Sequence, residues 1–230
     1  MSDRLKILYE DNHLIAVFKP SGILIQSDGS GEKTLMDTVK NFLKTRDLKP
    51  GQVFLGLIHR LDKNVSGIVL FAKTSKGASR LSEQFREHSV IKKYTAIVSG
   101  DLAATQCSEG KAELWMAKDE DERKAVVKAI QPTNDSNFKR ASLRYYCRKS
   151  EPNCTWVDVW LETGRFHQIR ATMAFLGCPI LGDTKYGGKI ETYNETVFDS
   201  SHIALCADEL SFVTATDSKP VTIQVTPFSA

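Results

Sequence analysis

The seven residues GIVLFAK, at 67–73, form an apolar run of strand length with no polar alternation. Such a run suits a strand covered on both faces, in the middle of a sheet with further elements packed above and below it. The surrounding sequence supplies the neighbours. KILYE and LIAVF flank the turn-forming EDNH, and KPSGILI is punctuated by Pro20 and Gly22. VIKKYTAIVSG reads as a strand closed by Gly100, residues 111–161 are strand-like, and HIALC and VTIQV add two strands near the C-terminus. In CTWVDVWLE, Thr155, Val157, Val159 and Leu161 alternate with Cys154, Trp156, Asp158 and Trp160, the period of a half-buried strand.

Three segments carry a helical period instead. TLMDTVKNFLKTR, at 34–46, places Leu35, Val39, Phe42 and Leu43 on one face. SKGASRLSEQFREH turns Ala78, Leu81 and Phe85 inward, with Ser75 as its cap. HQIRATMAFLG, at 167–177, carries Ile169, Met173 and Leu176 at helical spacing and stops at Gly177, with Pro179 just beyond. Many strands with few helices between them exclude a doubly wound parallel sheet, which needs a helix at nearly every crossover. The expectation is an α+β fold: one domain over residues 1–230 with a central mixed, mostly antiparallel sheet flanked by helices and loops.

Composition excludes some classes of function. At 41% hydrophobic and 26% charged, the 230 residues are ordinary globular material. No apolar run approaches the roughly 18–20 residues of a membrane span, and MSDRLKILYEDNH lacks the apolar core of a signal peptide. The five cysteines are odd in number and contain no C-x-x-C pair, which suits reduced thiols in the cytoplasm rather than a disulfide framework or a zinc site. The net charge is only +3, yet residues 59–94 hold eight Lys or Arg against Asp62, Glu83 and Glu87. A positive region of this kind can steer and hold a polyanion, and it is also what a solvated helix face looks like.

Three polar constellations stand at the ends of apolar elements. The first is His59, Arg60 and Asp62, in HRLDKNVSG just before the apolar run. A carboxylate beside apolar strand residues needs a cation to hold it, and Arg60 lies on the same face of an extended chain. The second, Gly164, Arg165, His167, Gln168 and Arg170, opens the third helix. Two arginines in a first helical turn oppose the helix dipole and call for an anionic partner. The third is GDTKYGG at 182–188. The histidines show no metal-ligand spacing, no G-x-S-x-G elbow is present, and SDGSGEK departs from a Walker loop, so metal, hydrolase and nucleotide-loop readings fall away.

These motifs, in this order, resemble the RluA-type pseudouridine synthases. HRLDKNVSGIVLFAK resembles that family's H-R-L-D-x-x-T-S-G followed by an apolar run and Ala-Lys. LYEDNHLIAVFKPSGIL resembles its opening strand–turn–strand with Lys-Pro-x-Gly, and KKYTAIVSG its K-x-Y-x-A strand. ETGRFHQIRATMAFLGCPILGDTKYGG resembles its T-G-R-x-H-Q-I-R block through G-D-x-x-Y-G, and HIALCADELSF its closing segment. Together they span residues 7–212. Val65 stands where Thr is usual, Ala171-Thr172 where Val-His is usual, and Cys206 where His is usual; these departures bear on the subfamily and its RNA target.

The resemblance implies isomerisation of uridine within RNA: the N1–C1′ bond breaks, the uracil turns, and C5 joins C1′. Asp62 matches the essential aspartate, which attacks C1′, attacks the base or abstracts a sugar proton. Arg165 matches the arginine that pairs with it, and Tyr94 the active-site tyrosine that stacks on uracil and takes part in removing the C5 proton. Arg60 matches the arginine that fills the space of an extruded nucleotide, and Ile169 supplies an apolar contact for the ring. His59, Lys73, Gln168 and Arg170 are further RNA-binding candidates, with Lys76, Arg80, Lys92 and Lys93 as phosphate contacts. No cofactor and no metal are implied. The partner is a tRNA or rRNA stem-loop, with no membrane and no obligate protein partner, and the chain is expected to be a cytoplasmic monomer without a separate N-terminal RNA-binding domain. Two rival readings are a non-catalytic RNA-binding or RNA-folding protein on the same scaffold and a sugar hydrolase with Asp183 as second carboxylate.

Overall fold

The computed structural model describes residues 5–48, 50–133 and 135–228. In chain order the strands and helices are β1 (Ile7–Glu10), β2 (Leu14–Lys19), α1 (Leu35–Arg46), β3 (Gly56–Leu57), β4 (Ser66–Ala72), α2 (Ser75–Arg86), β5 (Ile91–Ser99) and α3 (Leu102–Thr105). There follow β6 (Glu109–Asp119), β7 (Lys124–Lys128), β8 (Lys139–Ser150), β9 (Cys154–Leu161), α4 (Gln168–Phe175), β10 (Glu191–Tyr193), β11 (Thr196–Phe198), β12 (Leu205–Val213) and β13 (Pro220–Gln224). The result is the expected α+β fold, with a mixed, mostly antiparallel sheet and helices packed on it. The residues gather into two compact units, one running to Ile91 and rejoined by Ala207–Thr226, the other holding Lys92–Cys206.

In the first unit β4 is the strand that the apolar run implied, buried at every position. Ile68 and Leu70 face one way and pack with Leu14, Ala16, Leu81 of α2 and Phe212. Val69 and Phe71 face the other way and pack with Ile15, Val17 and the α1 residues Leu35, Val39 and Leu43. Burial on both faces is why the sequence shows no alternation there. β2 pairs antiparallel with β1 and β4, β3 pairs with the end of β4, and β13 pairs with β12. The β1–β2 turn is closed by Asp11, whose Oδ1 accepts the backbone N–H groups of His13 and Leu14, each at 2.7 Å.

Helix starts follow capping chemistry. Thr34 caps α1 in a reciprocal box with Asp37. The cap of α2 is Thr74, whose side chain accepts from Gly77 N, one residue before the expected Ser75; Thr74 has the extended backbone that a cap needs. The HIALC strand also shifts, because β12 runs over Leu205–Val213. There buried Leu210 and Phe212 alternate with less buried neighbours, a pattern stronger than the short apolar run before it.

The second unit is built on an antiparallel array in the order β5–β9–β8–β6–β7, with β10 and β11 forming a separate hairpin. Val157 and Val159 of β9 lie opposite Ala96 and Tyr94 of β5, all buried. No helix among the described residues is long and apolar enough to cross a membrane.

Gly67 of the first unit admits no side chain. Gly67, at φ +129°, would put a Cβ 2.3 Å from the Ala207 carbonyl oxygen and 2.5 Å from its nitrogen. Gly67→Ala is expected to cost about 3 kcal/mol or more, or to prevent folding, as read by chemical denaturation.

Candidate active site

The loop that carries Asp62 leaves β3 and enters β4, and side chains of the first unit hold it from several directions. His59 Nε2 accepts the N–H of Leu70 at 3.0 Å, occupying a place on the edge of β4 beyond the short β3 pairing. Its ring stacks on Phe85 of α2 with centroids 5.1 Å apart. His59 thus braces the loop against β4 and α2.

Lys19, at the end of β2, does the rest. It is fully buried, and its ammonium donates to the carbonyl oxygens of Pro20 at 3.0 Å, Ile23 at 3.0 Å and Lys63 at 2.9 Å. Three acceptors use all three N–H bonds of the charged form. Burial pushes its pKa down to about 7, against the opposing pull of the Asp62 carboxylate. The same segment adds Gly22 N donating to Lys63 O at 2.8 Å and Ser21 Oγ donating to Asn64 O at 2.9 Å. Val65 N donates to Asp62 O at 3.2 Å, and the Val65 side chain is buried. Asp62 itself stays half-exposed, and Arg60 is exposed. The backbone of the loop is thus fixed while Asp62 is only partly buried.

Lys73 lies outside this arrangement. It pairs with Glu10, which also binds Arg46 through two hydrogen bonds of 2.6 and 2.8 Å. A phosphate approaching Lys73 would compete with this half-buried carboxylate. Hydrogen bonding from Arg46 and the charges around it hold the Glu10 carboxyl down at about 2.

In the second unit the turn after β9 is shaped by Gln168. Its Oε1 accepts from Thr163 Oγ1 at 2.8 Å and from the backbone N of Arg165 at 2.9 Å, and its Nε2 donates to Ser142 O at 3.0 Å. It is 3% exposed, and these bonds set the backbone of Arg165. Arg165 is exposed, with Nε donating to Arg140 O at 2.9 Å.

Arg170 is buried in an ion pair. Its Nε and Nη2 donate to Asp183 Oδ2 and Oδ1 at 2.7 and 2.8 Å, with side-chain exposures of 5% and 1%. Asp183, thirteen residues along the chain, is an anion of the kind that the helix dipole called for. The same pair removes Asp183 as a second carboxylate for hydrolysis. Lys93 is likewise paired, with Asp158 at 3.1 Å, while Lys76 and Arg80 stand exposed on α2. Tyr94 and Ile169 are buried, at 8% and 4% exposure.

The family described as RNA pseudouridylate synthase matches residues 13–175, which include Asp62, Tyr94 and Arg165. The chain belongs to the RNA pseudouridylate synthase family. It is 34% identical to a Rickettsia bellii protein named ribosomal large subunit pseudouridine synthase C, over 84% of this chain and 60% of that one. It is 33% identical to a Zymomonas mobilis protein named ribosomal large subunit pseudouridine synthase D, over 80% of this chain and 56% of that one. The chain thus spans about 60% of the length of the curated relatives it matches. In fold it is similar to human RNA pseudouridylate synthase domain containing 4, with a TM-score of 0.75, 24% identity and coverage of 96% and 88% of the two chains.

Within this RNA pseudouridylate synthase family member, sequence reasoning missed Lys19. The Lys-Pro-x-Gly motif was visible, but its function as a cage for the Asp62 loop depends on Lys63, forty-four residues away. A lysine directly after an apolar strand was the available signal.

Two outcomes are expected here. Asp183→Ala should cost about 3–5 kcal/mol in chemical denaturation by leaving Arg170 buried without its anion, and replacing both residues by apolar ones should restore much of it. For Glu10, the folded pKa lies below the unfolded value, so its contribution is present above pH about 4.5 and is lost as pH falls toward about 2. Acid unfolding compared between wild type and Glu10→Gln should show the difference shrinking across that window.

Proposed function

We propose that this chain isomerises uridine to pseudouridine within RNA, with Asp62 as the catalytic carboxylate. The observation that carries the proposal is the Asp62 loop: its backbone is fixed by Lys19, Ser21 and Gly22 while Asp62 is only partly buried. Preorganisation of a partly buried acid is what glycosidic chemistry needs, because positive character develops at C1′ as the N1–C1′ bond breaks. The base is retained, so neither an activated water nor a second carboxylate is called for. After the uracil turns and C5 bonds to C1′, the proton on C5 must leave. Tyr94 takes the family's tyrosine role at the base and Arg165 the role of the arginine that supports the aspartate. Arg60 takes the place of an extruded nucleotide, and Ile169 gives the ring an apolar contact.

The names of the Rickettsia and Zymomonas relatives support an rRNA of the large subunit as substrate, ahead of tRNA. The test uses unmodified transcripts of large-subunit rRNA and of tRNA carrying tritium at uridine C5. Wild type should release tritium from the rRNA transcript. Asp62→Ala and Asp62→Asn should lower release by about 10³-fold or more while RNA retention on filters stays within about threefold. Activity surviving in either variant would overturn the assignment of Asp62. Binding by wild type without release would favour the non-catalytic RNA-binding reading, and release from tRNA alone would move the substrate class.

A further inference from the structure

Between Arg165 and His167 stands an aromatic ring that the family pattern T-G-R-x-H-Q-I-R leaves free to vary. Phe166 is 37% exposed, and one face of its ring lies on the His167 imidazole, with centroids 3.7 Å apart and planes 21° from parallel. That imidazole is fixed twice. His167 has a left-handed backbone, φ 51°, a conformation that costs a non-glycine residue energy and persists where surrounding contacts impose it. Its Nδ1 is 2.9 Å from the Tyr186 hydroxyl, which in turn accepts the N–H of Ala125 on β7 at 2.6 Å. The ring beneath Phe166 is therefore anchored to the β6–β7 hairpin.

Lys118 of β6 lies over the same ring, its Nζ 5.3 Å from the centroid. The Lys118 side chain is 43% exposed and pairs with the more exposed Glu120. A surface ion pair and a surface cation–π contact are both weak, so the ammonium can leave the ring at little cost. The arrangement is an exposed ring backed by an anchored imidazole and contacted by a weakly held cation, at the mouth of α4.

We propose that Phe166 is a stacking position for a nucleobase flanking the target uridine, with Lys118 moving from the ring to the adjacent phosphate. This rests on the reading of the chain as an RNA-modifying enzyme. Aromatic faces bind unpaired bases without regard to sequence, and a neighbouring ammonium supplies the phosphate contact that fixes register. A uridine extruded from a stem leaves neighbours that have lost a stacking partner, and such a neighbour is the base this ring suits.

The test measures KM and kcat for tritium release, and Kd by filter retention, on the unmodified large-subunit rRNA transcript. Phe166→Ala should raise KM and Kd about tenfold to a hundredfold, with kcat changed far less. Phe166→Tyr and Phe166→Trp should restore binding to within about threefold of wild type, whereas Phe166→Leu, which keeps apolar bulk without a π face, should not. Lys118→Gln should lower the dependence of Kd on salt by about one phosphate contact. Rescue by Leu equal to that by Tyr would assign Phe166 to packing and overturn the proposal, as would a KM and Kd unmoved by Phe166→Ala. Retention of the transcript without tritium release in wild type would defeat the isomerase reading, and the Kd series would still decide Phe166. Failure of wild type to retain RNA would overturn both.

Discussion

One buried ammonium sets the geometry on which the proposed chemistry depends. A lysine at 0% exposure is unfavourable unless its N–H bonds are answered, and Lys19 answers them with three backbone carbonyls, two from its own segment and one from the Asp62 loop. The same contacts that compensate its burial tie KPSG to HRLDKNV. Burial and an opposing carboxylate act on one group from opposite sides, which is the arrangement commonly found where a protein holds a reactive acid.

The second unit solves the corresponding problem with uncharged and paired groups. Gln168 places both ends of its amide on backbone and side-chain partners of the turn, so that the position of Arg165 follows from a buried hydrogen-bond network and not from loop sequence alone. Arg170 and Asp183 form a two-point ion pair that joins α4 to the GDTKYGG segment. A pattern runs through both units. Several polar residues nearest the motifs, Lys19, Gln168 and Arg170 among them, are buried and structural, while Arg60 and Arg165 are exposed to solvent.

Much of the fold was legible in the sequence. The unbroken apolar run of β4, the helical spacing of α1 and the stop of α4 at Gly177 are local signals, because periodicity of 2 or 3.6 residues and backbone preference act within a few residues. The order of motifs also named Asp62, Tyr94 and Arg165 together, and the match over residues 13–175 places the chain in the family those motifs indicated.

What the sequence by itself determined, then, is the set of elements, their class and the family. What the tertiary structure alone decided is which polar side chains find partners within the protein. His59, Lys73, Gln168 and Arg170 all read as RNA contacts from their place beside the motifs, and each is held by a partner of its own unit: Leu70, Glu10, Ser142 and Asp183. Their separations of 11, 63, 26 and 13 residues carry no periodic mark in a single chain. A charge looks the same in sequence whether it faces water or a buried counter-ion. Only folding, which removes water and brings distant groups within hydrogen-bond reach, distinguishes the two.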